Sequence, residues 1–154
     1  MASWTAFEAD APLLAERGRW LLAQHGGVAF LATLRANGAP QVRPIMPRLA
    51  QGSLWALIVT MSAKYGDLLR DPRYALHLIP AGSENLELHL EGRAVPCTDD
   101  TMRDAVAAEA GLTLHGFEAL FELHIERAQS TRWDGWGTPA AWPEFTRWRA
   151  PRAS

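Results

Sequence analysis

Two segments of the chain alternate between apolar and polar residues, and this alternation constrains the fold more than any other feature. Residues 84–96 read ENLELHLEGRAVP, in which Leu86, Leu88 and Leu90 are separated by glutamate and histidine. Residues 117–133 read FEALFELHIERAQSTRW and follow the same pattern. A period of two places one set of side chains on a buried face of a β-strand and the other set on the opposite face. The chain is therefore expected to build a sheet with one buried face.

Shorter apolar segments between turn residues predict further strands. Asn37-Gly38 is typical of a tight hairpin turn, and Gln51-Gly52 indicates a second turn. Pro44 and Pro47 place the strand that contains them at a sheet edge, because proline donates no hydrogen bond to a neighbouring strand. Before the two alternating segments the predicted strands are 28–34, 41–49, 54–61 and 74–79, and 145–148 predicts a last short strand.

Three helices are predicted beside these strands. The first covers about 10–25, with Asp10 as its cap and a proline in its first turn. The second covers 63–70, and the third covers 101–111. Six to seven strands joined mostly by short turns predict a mainly β fold, an antiparallel barrel with appended helices. The whole of 1–154 is expected to form one domain that ends in a tryptophan-rich tail at about 133–154.

Composition excludes several classes of function. Fifteen basic against seventeen acidic residues give a net charge of −2, which offers no electrostatic footprint for nucleic acid or for an anionic membrane. Cys97 is the single cysteine, so neither an internal disulfide nor a cysteine-based zinc site is expected. The histidines on the predicted strands occupy outward positions, and no metal site is predicted. The start of the chain lacks the pattern of a signal peptide, and the cytoplasm is the expected compartment.

A serine and a lysine lie where a buried strand gives way to a helix. The segment VTMSAKYGDLLRDPRYALHL, residues 59–78, contains Ser62 and Lys64 at this junction. The first backbone N–H groups of a helix have no partner within the helix, so this position is suited to binding a phosphate. The motif alone favours a simpler interpretation, in which Ser62 only caps the helix and Lys64 is only a solvated first-turn residue.

The order of these segments resembles a known family. VAFLATLRANGAPQVRPIM, then a strand, then SAK, LLRDPRYALHL and LEGRA, is similar to the pyridoxamine phosphate oxidase-like flavin-binding split barrels. The resemblance covers roughly residues 27–94 and extends more weakly to 148. It implies a split β-barrel of the obligate homodimer type, with two cofactors at the subunit interface. The usual cofactor is FMN, while some branches use a deazaflavin and a few bind haem or nothing.

The resemblance also assigns the phosphate ligands. It implies that Lys64 contributes a point charge and Ser62 a hydroxyl to the cofactor phosphate. Arg43 matches an arginine that precedes the flavin-contacting stretch, and its planar guanidinium would reach the same phosphate. The alternative for Arg43 is an ion pair with a carboxylate on the outer wall of the barrel.

The family resemblance also implies contacts with the flavin ring. The stretch Pro44, Ile45 and Met46 would lie along the flavin ring. The backbone of Val59 and Thr60 would meet the ring edge or the ribityl chain.

The tail departs from the true vitamin B6 oxidases. Trp133 lies where a contact with the partner subunit's cofactor is expected, but the tail lacks the substrate-binding Arg-x-His pattern of those enzymes. The resemblance therefore implies an FMN-dependent oxidoreductase acting on a small molecule other than the B6 vitamer, with no catalytic protein residue assigned. The alternatives are a deazaflavin-dependent reductase and a non-catalytic dimer that binds flavin or haem.

Overall fold

The computed structural model describes residues 1–151, which form one antiparallel sheet with helices packed against it. These residues contain eight strands, four α-helices and one short 3-10 helix at His25–Gly27. The elements in chain order are α1 (Trp4–Asp10), α2 (Pro12–Leu22), β1 (Ala29–Leu34), β2 (Pro40–Ile45), β3 (Arg48–Ala50), β4 (Ser53–Val59), α3 (Ala63–Arg70), β5 (Arg73–Ala81), β6 (Leu86–Pro96), α4 (Asp100–Ala110), β7 (Glu118–Asp134) and β8 (Trp142–Arg149).

The strand order forces the sheet to curl. Along the sheet the order is β2-β1-β5-β6-β7-β4-β3, and β8 pairs with β7 outside this path. Although β2 and β3 lie at opposite ends of this order, only Met46 and Pro47 separate them in the chain. The two ends of the sheet must therefore lie close together, as the barrel prediction requires. The sheet is antiparallel throughout, which confirms the predicted mainly β class.

Strand β7 organises one half of the sheet. Along one edge it pairs with β6 over most of its length. Along its other edge it pairs first with β4, over residues 118–122, and then with β8, over residues 127–134. The alternation in its sequence is explained by this position, since Phe121, Leu123 and Ile125 are fully buried.

The core lies on the inner face of this curled sheet. Leu31, Leu76 and Leu90 face one another across β1, β5 and β6 and are almost completely buried. Trp4 and Phe7 of α1 close this core, and the Phe7 ring packs edge to face against Trp148 of β8 at a centroid separation of 5.0 Å. The amino-terminal helices and the last strand thus cover the same part of the barrel.

Two predicted boundaries were wrong. The strand expected over 41–49 is two strands, β2 and β3, because the chain breaks at Met46 and Pro47; the sheet accordingly has eight strands instead of six to seven. The first predicted helix begins at Pro12 and ends at Leu22, so Asp10 is not its cap.

Asp10 instead ends α1, a helix that the sequence analysis did not predict. The α1 helix is capped by Ser3, whose Oγ accepts a hydrogen bond from the backbone N–H of Ala6. The Asp10 carboxylate accepts a hydrogen bond from Trp148 Nε1 at 2.5 Å.

The tail predicted over 133–154 contains β8, which is longer than the strand expected at 145–148. Residues 152–154 of this tail lie outside the described range. None of the described helices is long and apolar enough to cross a membrane.

Candidate functional site

Helix α3 begins without a side-chain cap. Ser62 occupies the cap position, but its hydroxyl donates to the carbonyl oxygen of Val59 at 2.6 Å instead of accepting from the helix. In contrast, Ser3 accepts from a first-turn N–H of α1, and Asp99 does so for α4. Because no side chain of the described residues caps α3, the backbone N–H groups of Ala63 and Lys64 remain available to an anion, whereas that of Tyr65 donates to the Ser62 carbonyl oxygen.

Lys64 and Arg43 place two positive charges beside this helix start. Burial lowers the pKa of Lys64, and repulsion from Arg43 lowers that pKa further. Arg43 lies opposite Leu31 in the β1–β2 register, so its side chain leaves β2 on the inner face. Within the described chain neither residue forms an ion pair with a carboxylate, and Arg43 donates only to the carbonyl oxygen of Val42, at 3.0 Å. The alternative in which Arg43 pairs with a carboxylate on the outer wall is therefore not observed.

Lys64 is also unusual in the composition of the chain. It is the only lysine, against fourteen arginines. Lysine presents a compact charge on a flexible stem, whereas arginine presents a rigid planar fork. The only lysine thus lies at the start of an uncapped helix, a position suited to a phosphate.

A buried carboxylate that the sequence analysis missed anchors α3. Asp67 accepts hydrogen bonds from Thr33 Oγ1 at 3.0 Å, from Gln41 Nε2 at 3.2 Å and from Arg70 Nη2 at 2.9 Å. Asp67 follows Lys64 by three residues, so both side chains lie on the same side of the helix. These bonds attach α3 to β1 and β2 and thereby hold Lys64 close to Arg43. The only feature of the sequence that could have indicated a role for Asp67 is its i,i+3 spacing from Lys64, and this spacing is too common to be informative.

The stretch expected to lie along a flavin ring does not present a single face. Pro44 lies on the outer face of the sheet opposite Phe30, and Ile45 is buried in the core with 6% exposure. Met46 is half exposed and follows the end of β2. A ligand could therefore meet Ile45 only through its backbone, whereas the side chains of Pro44 and Met46 are exposed.

Exposed apolar side chains flank the start of α3. Val59 ends β4 and is 37% exposed, and Met61 is 84% exposed. Thr60 lies between them, and both its N–H and its Oγ1 donate to the carbonyl oxygen of Phe117. The exposed side chains of Val59 and Met61 thus lie near the cations Lys64 and Arg43. Apolar surface combined with a few charged groups is suited to binding a flat organic anion.

Trp133 and these residues lie near opposite ends of β7. Glu118, the first residue of β7, pairs with Val59, whereas Trp133 is the penultimate residue of the same strand. Fifteen residues of extended chain correspond to roughly 50 Å along the strand. Trp133 instead contacts Trp136 at a ring separation of 5.2 Å. If Trp133 has a cofactor role, it acts on the site of another subunit.

The strand histidines pair with neighbouring glutamates. His77 Nε2 lies 3.4 Å from Glu87, and His89 Nε2 lies 3.2 Å from Glu91. In the part of the chain that the structure describes, no group of three or more potential ligands is placed to bind a metal ion.

The comparisons with known proteins support the family prediction. The sequence model of the family described as pyridoxamine 5'-phosphate oxidase matches residues 21–132. No curated protein sequence matches the chain.

Solved structures share the fold at low sequence identity. A protein of unknown function from Agrobacterium tumefaciens is 23% identical with a TM-score of 0.63, and the match covers 87% of this chain and 61% of that one. A haem-binding protein from Mycobacterium smegmatis is 22% identical with a TM-score of 0.58; the match covers 77% of this chain but only 52% of that longer one.

An F420 reductase is also similar in structure. It is 18% identical with a TM-score of 0.50, and the match covers 66% of this chain and 87% of the reductase. At these identities the structural matches establish the fold alone. The match to the family model covers most of the chain, and on that evidence the protein belongs to the pyridoxamine 5'-phosphate oxidase-like split-barrel family.

Proposed function

We propose that the protein binds the phosphate of a flavin, FMN in the first instance, at the start of α3. The observation that carries this proposal is the pair formed by Lys64 and Arg43, two neighbouring cations without a carboxylate partner among the described residues. A phosphate dianion would neutralise them, and the uncapped N–H groups of α3 would donate to its oxygens. Ser62 would join them if its hydroxyl turned away from Val59, since at present it donates there.

The flavin ring would then lie against the end of β2 and the turn after β4. Of the stretch Pro44, Ile45 and Met46, the backbone of Ile45 and the exposed side chain of Met46 would lie along the ring, whereas the Pro44 side chain faces the outer side of the sheet. The backbone of Val59 and Thr60 would meet the ring edge or the ribityl chain. The ring supplies hydride or electron transfer when bound, while the chain binds and orients it and shields it from water. A flavin-dependent oxidoreductase of small-molecule substrates is the activity that we propose, and no side chain is assigned as a catalytic acid or base.

A homodimer with the cofactor at its interface belongs to this proposal. The surface around Lys64 is open in one protomer, and apolar side chains such as Phe30, Val42 and Met61 are exposed around β2 and α3. A second subunit would cover them and would bring its own Trp133 within reach of the ring.

Two other cofactors remain as second candidates. The similarity to an F420 reductase favours a deazaflavin, and the similarity to a haem-binding protein favours haem. The absorption spectrum of the purified protein separates the three, because flavin, deazaflavin and haem absorb at different wavelengths.

The decisive experiment compares two ligands that differ only in the phosphate. FMN and riboflavin are titrated against wild type, Lys64→Ala and Lys64→Arg. Lys64→Ala is expected to weaken FMN binding by about 1.5–3 kcal/mol, the range for a hydrogen bond to a charged group, and to leave riboflavin binding nearly unchanged. Lys64→Arg is expected to recover part of the loss, since the charge remains while its geometry differs.

Arg35→Ala is a suitable control for this titration. Arg35 is exposed in the β1–β2 turn and its removal changes the net charge by the same amount. Equal losses for Lys64→Ala and Arg35→Ala, or equal losses for FMN and riboflavin, would contradict a specific phosphate site at Lys64.

A further inference from the structure

A second group of basic side chains lines a cleft on the outer face of β6, β7 and β8. The cleft has a volume of about 630 Å³. We refer to it as the arginine cleft. Its outward polar side chains are His89, Glu91, Arg127, Gln129, Arg147 and Arg149.

The register of the strands brings these side chains together. Arg127 of β7 lies directly opposite Arg149 of β8, and Gln129 lies opposite Arg147. Glu91 of β6 lies opposite Arg127 on its other side. Residues directly opposite on neighbouring strands are about 5 Å apart and share one face of the sheet. The cleft is therefore a compact grid of side chains from three adjacent strands.

This grid contains more positive charge than its own carboxylate can neutralise. Glu91 lies 3.7 Å from Arg127, which is a long ion pair, and Arg147 Nε donates to the neutral amide of Gln129 at 2.8 Å. Arg149 has no carboxylate partner among residues 1–151. Like charges directly opposite each other destabilise a sheet, and an anion bound between Arg127 and Arg149 would reduce that cost.

Three other surface arginines are neutralised within the chain. Arg19 pairs with Glu8 at 2.6 Å, Arg73 pairs with Asp71 at 2.6 Å, and Arg132 bridges two glutamates. At these three positions the chain provides carboxylates for its arginines, whereas the arginine cleft has one carboxylate, Glu91, for three guanidinium groups. The missing negative charge is expected to come from outside the chain.

We infer that the arginine cleft binds a small polyanion, a molecule that carries two or more carboxylate or phosphate groups. Guanidinium groups bind both kinds of group through paired N–H donors. A cleft of this volume accommodates a ligand of metabolite size. Within one protomer the arginine cleft is separate from the site at Lys64, because its side chains lie on the outer face of the sheet and include neither Lys64 nor Arg43, which leaves β2 on the inner face.

The test uses citrate and pyrophosphate as probes, so that the carboxylate and phosphate sources are distinguished. Each probe is titrated calorimetrically at low ionic strength into the full chain carrying Lys64→Ala, which removes a cation from the other anion site. The double change Arg147→Gln with Arg149→Gln is then added. The matched control is Arg19→Gln with Arg35→Gln, which removes two exposed charges that do not line the cleft.

At least one probe is expected to saturate the parent protein with one site per protomer. The cleft variant should bind that probe about tenfold more weakly or worse, as expected when a charged hydrogen-bond donor is lost. The control variant should bind nearly as the parent does. The probe should also raise the melting temperature of the parent and of the control, but not that of the cleft variant.

Two results would overturn the inference. One is the absence of saturable binding of either probe to the parent protein. The other is an equal loss of affinity in the cleft variant and in the control, which would mean that only the overall charge matters. Neither result bears on the flavin proposal, which is tested by the FMN and riboflavin titrations at Lys64.

Discussion

Gly92 packs directly against the backbone of His124. A Cβ atom at Gly92 would lie 1.8 Å from the His124 carbonyl oxygen, a distance that no side chain tolerates. The cause is a shift in the β6–β7 register, in which Glu91 aligns with Arg127 while Gly92 aligns with Ile125. The extra residue of β7 forms a bulge that bends this strand toward β6, and only glycine leaves room for it.

Gly92→Ala is therefore expected to destabilise the protein by about 3 kcal/mol or more, at the top of the range for overpacking. Gly66→Ala is the matched control. A Cβ at Gly66 of α3 meets no atom within 4 Å, so alanine should stabilise the helix by about 0.5–1 kcal/mol. Urea unfolding of both variants measures the difference. A small effect at Gly92 would contradict the bulge geometry.

Asp67→Asn should weaken both the fold and the phosphate site. Asparagine keeps the size of the side chain but has one carbonyl oxygen, so an N–H₂ group must face either Arg70 or the donors from Thr33 and Gln41. A loss of about 1.5–3 kcal/mol in the free energy of unfolding is expected, because a hydrogen bond to a charged group is removed. Affinity for FMN should fall more than affinity for riboflavin, since α3 carries Lys64.

Asp104→Asn is the control for this change, because Asp104 is exposed on α4. Equal unfolding free energies for the two variants would mean that the Asp67 network does not anchor α3.

The amine of Lys64 should react at a lower pH than an ordinary lysine. Its pKa is lowered by burial and by Arg43, so the neutral, nucleophilic form becomes populated at lower pH. A bound phosphate favours the charged form, and FMN should therefore raise this pKa and slow the reaction, whereas riboflavin should not. Because the chain has one lysine, acetylation followed by mass spectrometry reports on this site without interference from other lysines. Equal protection by both ligands would contradict a phosphate contact.

Trp148 is expected to be the structural tryptophan of the tail. It packs against Phe7 and donates to Asp10, and it is partly buried. Trp148→Ala should lower the free energy of unfolding by about 2–3 kcal/mol, below the 3–5 kcal/mol of a fully buried aromatic residue. Trp142→Ala is the control, because this side chain is 75% exposed and its loss should change stability by less than about 0.5 kcal/mol. Similar losses at the two positions would argue against an anchoring role for Trp148.

The parts of the fold that could be predicted from the sequence are those that depend on local pattern. The turns at 37–38 and 51–52, the helix α3 and the alternation of β6 and β7 all follow from residues that are neighbours in the chain. The break at Met46 and Pro47 could not be predicted, since a proline at a sheet edge is compatible with one continuous strand. The α1 helix was missed because Asp10 and Pro12 resemble a helix start, and that interpretation left the short Trp4–Asp10 segment unassigned.

The candidate site depended more on tertiary structure. The family resemblance selected Arg43 and Lys64, and the fold places the two side chains close enough for one to lower the other's pKa. The Asp67 network involves residues 26 and 34 positions away, and no local pattern indicates that a carboxylate will be buried among them. Arg127 and Arg149 face each other only because of the β7–β8 register, and this register could not be predicted from the sequence.

The pairing of β4 determines the order in which the barrel can be completed during synthesis. Its residues, SLWALIV, are largely buried, yet among the described strands its only partner apart from the three-residue β3 is β7. Nearly sixty residues must leave the ribosome after β4 before residues 118–122 can pair with it. During that interval one edge of an apolar strand has no partner and is open to pairing with other chains. The nascent protein should therefore depend on chaperones most strongly while residues 60–117 are being translated.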